Sequence, residues 1–442
     1  MSINASHNAI KGRIVSEAQV SSGFEIGGWV DLTFNKLEGS IPLSFFNVTL
    51  MYLSHNNFTE LTSLCDIKDP KVAAGLHFLD ISFNQLSGTL PDCWSSLSSL
   101  VVLNLANNHN LSGSLPTSVG SLASLKALHL DRNSFTGTLP SFIKNCSKLV
   151  SLHLGHNNFF GPLPDWVGEN LPQLAILVLA SNHFSASVPT SLCHLQSLQL
   201  LDLSMNHLTG SLPKCLSNIT QMTIIRGGSA TISYEIPLFL IGPAFLMDLP
   251  IKEVDKVDTV WKGMLSEFDI TLGHVKSIDL SSNMLTGEIP NEITSLVGLI
   301  SLNISRNNLR GQIPLRIGKI PKGTQLQSFS ASAYMGNPGL CGDPLPNSCQ
   351  GEELTHPSRP RFCEEEEEEE ACNKEDADKF LGSEFYASMG VGYAVGFLSV
   401  VGTMLFNRSC RFAFFKVFND FANWVYVVAA IYKAKLLTIL RG

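Results

Sequence analysis

Two histidines, His129 and His153, are the residues of this chain that come nearest to a chemical site. Asp131, Arg132 and His156 lie within a few positions of them. Imidazole and carboxylate groups close together could form a pH-sensitive or ligand-binding patch, because the charge of histidine changes near neutral pH. The alternative is that all five are ordinary solvated side chains. The sequence leaves both interpretations open.

The rest of the sequence contains no pattern typical of catalysis. It has no Gly-rich phosphate loop, no His-Glu-x-x-His motif and no nucleophile elbow. No C-x-x-C pair or ladder of histidines indicates a zinc site. We therefore expect no enzyme, no cofactor and no metal, and binding becomes the expected type of function.

The two histidines occupy equivalent positions of a sequence repeat. The frame LxxLxLxxNxLxGxLP begins at Leu76 and returns every 24 or 25 residues. Its later copies begin at Leu100, Leu125, Leu149, Leu174 and Leu198. This period is typical of leucine-rich repeats, whose turns stack into a solenoid because no single turn can bury its own apolar face. His129 and His153 then lie at position 5 of neighbouring turns, on the concave side.

The predicted fold is an α/β-type repeat solenoid, a leucine-rich-repeat superhelix with a parallel sheet on its concave side. The asparagine at position 9 of each turn is predicted to bond backbone groups that the turn would otherwise leave unpaired in the interior. These asparagines are Asn84, Asn108, Asn133, Asn157, Asn182, Asn206, Asn283 and Asn307. Their expected role is structural.

The repeat frame is interrupted once. We predict repeats over residues 1–220, with degenerate first turns, and again over 275–320, followed by a C-terminal cap over 321–350. The island insert between them, residues 221–274, carries no repeat signature. Long connections within a compact fold are usually functional or disordered. We expect the insert to fold over the concave face and to contribute to ligand or partner contacts.

The acidity of the chain is local. The segment 351–384 contains thirteen acidic and four basic residues, which accounts for the net charge of −8 and leaves the rest of the chain close to neutral. Such a run of like charges stays solvated and implies no affinity for nucleic acid.

A transmembrane helix is predicted over 385–406, which is 22 residues without a charge. Basic residues follow it and acidic residues precede it, so the positive-inside rule places the tail, 407–442, in the cytosol and the repeats outside. Ser388, Gly392 and Gly396 follow the small-xxx-small pattern that lets a second helix approach closely. Glycine is also common in membrane helices in general, and lateral association is the interpretation that we favour.

Cysteines and glycosylation sequons fit an extracellular solenoid. Two cysteine pairs would be within bridging reach if the turns stack, and each is either a disulfide or two buried thiols. The pairs are Cys65 with Cys93 and Cys193 with Cys215. Cys146 is expected to pack unpaired, and the pairing of Cys363 and Cys372 stays open. The sequons that precede the predicted span are at Asn4, Asn47, Asn57, Asn110, Asn145, Asn218 and Asn303.

The strings from Ser277 to Pro314 and from Gly323 to Cys349 closely resemble the C-terminal half of plant leucine-rich-repeat receptor-like proteins. Within that family, the chain resembles the receptors for ethylene-inducing xylanase. The PDCW string that begins at Pro91 and a Trp-Lys-Gly triplet that closes the insert match the family as well. The residues of that triplet are Trp261, Lys262 and Gly263.

The resemblance implies a function. Members of the family detect microbial or developmental ligands outside the cell and have no kinase domain. The chain is thus expected to be a single-pass type I protein of the plasma membrane that recognises an extracellular peptide, protein or glycan in plant defence. An adaptor receptor kinase and a co-receptor kinase would be its signalling partners. The resemblance also implies a disulfide between Cys341 and Cys349 in the cap.

Two alternatives remain. Met1 to Arg13 has no apolar signal-peptide core and matches the middle of a repeat, so we expect the chain to be truncated at its N-terminus relative to the family. One alternative is therefore a receptor fragment that does not signal. The other is an inhibitor of cell-wall-degrading enzymes, since such inhibitors use the same repeat, although the predicted membrane span argues against it.

Overall fold

The computed structural model describes residues 2–14, 28–69, 73–224, 231–237, 239–242, 245–248, 251–261, 264–268, 271–314 and 330–349. The chain divides into two compact units, residues 1–354 and 355–442. The predicted acidic segment, the predicted transmembrane helix with Ser388, Gly392 and Gly396, and the tail lie outside the described residues. Within the described ranges, none of the helices has the length and apolar composition that crossing a bilayer requires.

One parallel sheet, called here the concave sheet, runs through the first unit. Each described turn before the cap contributes one three-residue strand to it. The strands described in this sheet are, in order, β1 (Ser2–Asn4), β3 (Trp29–Asp31), β5 (Leu50–Tyr52), β7 (Phe78–Asp80), β9 (Val102–Asn104), β11 (Ala127–His129), β13 (Ser151–His153), β15 (Ile176–Val178), β17 (Leu200–Asp202), β25 (Ser277–Asp279) and β27 (Ser301–Asn303). Leu200 lies opposite Ser277, so the sheet continues directly across the insert. The solenoid with a parallel concave sheet is confirmed.

A second strand follows the asparagine in most turns, which the repeat frame alone did not predict. Six of these strands form one parallel sheet: β8 (Ser87–Thr89), β10 (Asn110–Gly113), β12 (Ser134–Gly137), β14 (Asn158–Pro162), β16 (His183–Ser187) and β18 (His207–Thr209). Similar strands lie toward the two ends, at β2 (Lys11–Arg13), β4 (Lys36–Ser40), β6 (Asn57–Glu60), β26 (Thr286–Gly287), β28 (Asn308–Gln312) and β29 (Gly339–Cys341). The glycine of the frame permits this close stacking. Gly113 has φ of 78°, and a Cβ there would lie 2.7 Å from Cγ2 of Thr89.

Short helical segments complete the turns. Among the segments whose bounds lie within the described residues, two are α-helical, α1 (Trp166–Asn170) and α2 (Thr220–Thr223). The described 3₁₀ segments are Leu43–Asn47, Thr62–Asp66, Trp94–Leu97, Thr117–Ser121, Ser141–Asn145, Thr190–His194, Lys214–Asn218, Leu272–His274, Asn291–Ser295 and Ala331–Ala333. A proline precedes several of them, as Pro116 and Pro140 do, and its fixed φ starts the turn.

The leucines of the frame and the asparagine column form the interior. In the turn that begins at Leu149, that leucine is fully buried. Asn157 donates to the carbonyl oxygens of Leu130 at 2.9 Å and Leu154 at 3.1 Å, and it accepts from the N–H of Phe135 at 3.0 Å. The predicted structural role of these asparagines is therefore confirmed. Asn337 makes the same bonds to Ile304 and Tyr334, so the cap contains a further turn.

The insert is built from antiparallel hairpins. Strand β19 (Ser233–Ile236) pairs with β22 (Ile251–Val254), β20 (Phe239–Gly242) with β21 (Phe245–Asp248), and β23 (Val257–Trp261) with β24 (Met264–Phe268). Trp261 lies at the closed end of the last hairpin, while Lys262 and Gly263 are outside the described residues. Helix α2 overlaps the start of the range predicted for the insert, but it still belongs to the solenoid, because the carbonyl of Met222 accepts from the N–H of Gly298 at 2.9 Å.

Three disulfides connect the cysteines of the described residues. Cys341 bonds to Cys349 in the cap, as the resemblance implied. Cys65 bonds to Cys93 and Cys193 to Cys215, which resolves the two open pairs in favour of disulfides. Cys146 is buried and unpaired, as predicted. Cys363 and Cys372 lie outside the described residues.

Candidate functional site

The first hairpin of the insert packs on the concave sheet. Several concave side chains at position 3 of the repeat are apolar, and they are buried together with side chains of the insert. The concave members of this cluster are Leu50, Phe78, Val102, Ala127, Ile176 and Leu200. The members from the insert range are Ile232, Tyr234, Ile236, Val257 and Leu272. Each large side chain buried in this way contributes about 1.5–3 kcal/mol, so apolar contact holds the insert in place. The described part of the insert thus folds over the concave face as predicted, and its contribution to ligand or partner contacts stays a prediction.

A cluster of polar side chains lies beside this apolar contact, and we call His129, His153, Asp255, Tyr234 and Ser151 the latch. His129 lies directly opposite His153 on neighbouring strands, and their rings stack with centroids 4.2 Å apart. Asp255 comes from the insert, just after β22. Its Oδ1 lies 3.2 Å from Nε2 of His129. The latch thus joins two turns of the solenoid to the insert.

The position of Asp255 is defined by the insert itself. Its backbone N–H donates to the carbonyl of Ile232 at 2.8 Å, across the first hairpin. The hydroxyl of Tyr234 donates to Oδ2 of Asp255 at 2.5 Å. On the sheet side, the Ser151 hydroxyl lies 3.5 Å from Nε2 of His129. Both carboxylate oxygens of Asp255 therefore have a side-chain partner. Oδ1 contacts His129 of the concave sheet, and Oδ2 contacts Tyr234 of the insert.

The electrostatics of the latch follow from burial and from the ion pair. Burial lowers the pKa of His129, but the carboxylates of Asp255, Asp131 and Asp80 together more than compensate, so that the pKa lies above its ordinary value. Burial raises the pKa of Asp255, and the His129 partner holds it well below its usual range. Burial and the neighbouring His129 lower the pKa of His153 to about 3. At neutral pH, His153 is therefore an uncharged imidazole beside an ion pair.

A second contact joins the insert to the sheet near β5. The hydroxyl of Tyr52 donates to the carboxylate of Glu253, which lies opposite Tyr234 in the hairpin. Burial raises the pKa of Tyr52, and the Glu253 carboxylate raises it further. The ring of Tyr52 also contacts Phe78, with centroids 4.7 Å apart. The insert is thus attached through hydrogen bonds at two places on the concave sheet.

The five predicted patch residues separate into two groups. His129 and His153 come together, but the insert covers them: the side chain of His129 is 13% exposed and His153 is 6% exposed. The alternative of ordinary solvated residues is therefore wrong for these two. Arg132 and His156 lie at position 8, where the chain turns with φ of 55° and 54°. Asp131 is half-buried and its charge helps to raise the pKa of His129.

Asp255 and Tyr234 were not among the predicted site residues. No spacing rule relates them to the repeat, because they lie in the insert. A signal for their neighbourhood was nevertheless present in the sequence. Apolar residues at position 3, such as Phe78 and Ile176, would be exposed on an open concave sheet, and a row of them indicates that something covers it.

The predicted glycosylation sequons differ in exposure. Asn57, Asn110, Asn145 and Asn218 are exposed, as is Asn4. Asn47 and Asn303 are half-buried. The side-chain amide of Asn303 donates to Oδ2 of Asp279 at 2.9 Å.

Comparisons with known proteins agree with this architecture. The family profile described as Leucine Rich Repeat matches residues 75–97, 124–146, 274–296 and 298–320, and a second profile, Leucine rich repeat, matches 147–208. Receptor-like protein EIX2 of Solanum lycopersicum is 36% identical over an alignment that covers 100% of this chain and 45% of that protein. The chain is a leucine-rich-repeat protein homologous to plant receptor-like proteins.

Two further matches support this relationship. Receptor-like protein EIX1 of Solanum lycopersicum is 36% identical over 41% of this leucine-rich-repeat chain and 21% of its own length. The leucine-rich-repeat ectodomain of the Arabidopsis thaliana receptor kinase GASSHO1/SCHENGEN3, solved in complex with CASPARIAN STRIP INTEGRITY FACTOR 2, has a TM-score of 0.55 and 28% identity. That comparison covers 73% of this chain and 31% of the ectodomain. The chain spans less than half the length of the curated relatives that it matches.

Proposed function

We propose that this protein is a plant cell-surface receptor-like protein without a kinase domain, which recognises an extracellular, pathogen-derived peptide, protein or glycan. The residues 385–406 would anchor it as a single-pass type I protein, and it would signal through an adaptor receptor kinase and a co-receptor kinase. The observation that supports the proposal most is the insert docked on the concave sheet. The homology to EIX2, which extends over the whole chain, supports it as well.

The docked insert narrows where a ligand would bind. Because His129 and His153 lie under the insert, they are not a direct contact surface. Asp131, Arg132 and His156 lie beside them, where the chain turns out of the sheet. The proposed ligand surface therefore combines this edge with the outer side of the insert, and the function is binding rather than catalysis.

The experiment uses the full chain, expressed in leaf cells behind a cleavable secretion signal and carrying a C-terminal tag. A fungal ethylene-inducing xylanase is the first probe, because the sequence of this chain resembles the receptors for that enzyme. We expect the probe to bind the chain. When the chain is purified through its tag, more receptor kinase should be recovered in the presence of the probe than in its absence. Replacing both Arg132 and His156 by alanine should weaken probe binding at least tenfold, while a control with Lys144 and Lys148 replaced, two exposed residues outside the concave sheet, should bind normally.

A second variant tests the signalling part. Replacing Gly392 and Gly396 by leucine should leave probe binding and membrane insertion unchanged and should abolish kinase capture. Undiminished capture would contradict the helix-packing proposal. If the chain slows xylan hydrolysis by the probe and captures no kinase, the inhibitor interpretation replaces the receptor. If it does neither and binds nothing, a non-signalling fragment is the better description.

A further inference from the structure

The latch contains the donor set of a transition-metal site. One ring nitrogen of His129, one of His153 and one carboxylate oxygen of Asp255 all lie within 4.8 Å of one another. Nε2 of His129 and Oδ1 of Asp255 are 3.2 Å apart. Two ligands about 2.0–2.1 Å from a tetrahedral zinc ion are about 3.3 Å apart, so these two atoms already have the required spacing.

His153 supplies an independent reason to expect a ligand here. Its Nε2 is buried, and it has no hydrogen-bond partner among the described residues. Buried polar atoms in native proteins almost always have a partner, so this one requires an explanation. Imidazole nitrogen is one of the ligand types that bind Zn²⁺ in proteins, so a bound ion would supply the missing partner.

The surrounding groups resemble the outer shell of a metal site. The Tyr234 hydroxyl bonds to Oδ2 of Asp255. Oδ1 accepts from the backbone N–H of Lys256 at 2.8 Å and also faces Nε2 of His129. Such hydrogen bonds orient ligating carboxylates and increase metal affinity. The Ser151 hydroxyl lies 3.5 Å from Nε2 of His129. The carboxylates of Asp131 and Asp80 add negative potential near His129.

We propose that His129, His153 and Asp255 bind a divalent transition-metal ion, Zn²⁺ by preference, which clamps the insert to the concave sheet. Two nitrogen donors and one carboxylate suit Zn²⁺ and its neighbours in the first transition series, whereas Ca²⁺ and Mg²⁺ prefer sites made only of oxygen. Binding displaces the proton that His129 shares with Asp255. The ion would therefore replace the ion pair with three coordination bonds between the solenoid and the insert. This proposal does not depend on the receptor function.

The test measures metal binding by the purified full chain. Zn²⁺ is titrated in competition with a chromophoric chelator, and Co²⁺ is added separately because a tetrahedral site gives it strong visible absorption. We expect one ion per chain at the latch. Asp255→Asn keeps the shape of the side chain and should lower the affinity for Zn²⁺ by more than about 100-fold. His153→Asn should lower it to the same extent. Tyr234→Phe keeps all three ligands and should weaken Zn²⁺ by about 10–100-fold.

A control removes binding by surface histidines. His183 and His207 are exposed neighbours whose rings lie 5.6 Å apart, and their replacement by asparagine should leave the latch affinity unchanged. A second readout is limited proteolysis within residues 225–270, which Zn²⁺ should slow in the wild type but not in His153→Asn. The proposal is overturned if Zn²⁺ binding disappears with the surface histidines, or if it survives in both latch variants. It is also overturned if protection of the insert depends on pH but not on metal.

Discussion

The replacement of Asp255 by alanine tests how the insert is held on the concave sheet. In the metal-free protein, the substitution removes the partner of His129 and the acceptor of the Tyr234 hydroxyl in one step. The Asp255 side chain is fully buried, so solvent does not replace either contact while the insert is docked. Breaking one side of a buried ion pair costs about 3–5 kcal/mol. An unsatisfied buried hydroxyl adds about 1–3 kcal/mol.

The cost should appear as local opening of the insert. Asp255 belongs neither to the leucine core nor to the asparagine column, so the repeats remain folded when the latch is broken. Native-state hydrogen exchange measures this directly through the amides of β19 and β22. Taking only the lower bound of about 3 kcal/mol, we expect these amides to exchange more than about 100-fold faster in the variant. Amides of β13 should exchange at nearly the wild-type rate.

The same hairpin provides a matched control. Lys252 and Glu235 form an ion pair at 3.5 Å, and both side chains are about two-thirds exposed. Such surface pairs contribute about 0–1 kcal/mol, so Lys252→Ala should change exchange by only a few-fold. If Asp255→Ala accelerates exchange no more than Lys252→Ala does, the latch does not hold the insert. If the amides of the repeats accelerate equally, the insert and the solenoid open as one unit.

Three further expectations concern pH, the asparagine column and glycosylation. His153 has a pKa of about 3 when the insert is docked and an ordinary value of 6.5 when it is open, so the docked state binds fewer protons between these values and loses stability as the pH falls through them. Between pH 7 and pH 5, the free energy of insert docking should therefore fall by about 2 kcal/mol more in the wild type than in His153→Asn. The same exchange assay measures this difference. An equal pH response of the two proteins would exclude the role of His153. Asn157→Ala leaves several buried backbone groups without partners and should lower the free energy of unfolding, measured by urea titration, by about 3 kcal/mol or more. Its control is the exposed neighbour, since Asn158→Ala should change this free energy by less than about 0.5 kcal/mol. For the secreted chain, Asn145→Gln should remove one step of the glycosidase-induced mobility shift. Asn303→Gln should remove none, because the amide of Asn303 is already bonded to the carboxylate of Asp279. The reverse pattern would mean that this hydrogen bond is absent from the mature protein.

Local patterns explain how much of the fold was predictable. The spacing of leucine and asparagine determines which side chains of a turn face inward, and neighbouring turns repeat the same contacts. For this reason the concave sheet, its continuation from β17 to β25 and the bonds of Asn157 could be predicted from the sequence. The second strand of each turn was missed, since it depends on how glycines such as Gly113 allow adjacent turns to approach, and leucine spacing does not show that.

The sequence predicts only part of the latch. The period of the repeat places His129 beside His153, but it cannot say whether the pair faces solvent or protein. Asp255 lies 102 positions beyond His153 in a segment without a repeat, and only the docking of the hairpin brings its carboxylate to 3.2 Å from His129. That docking depends on apolar complementarity between two surfaces that are distant in the chain. The solenoid and the positions of its columns are therefore predictable from the repeat, because their contacts recur at a constant spacing. The burial of two concave histidines in a charged cluster follows from the three-dimensional fold alone, because the third residue comes from outside the repeat.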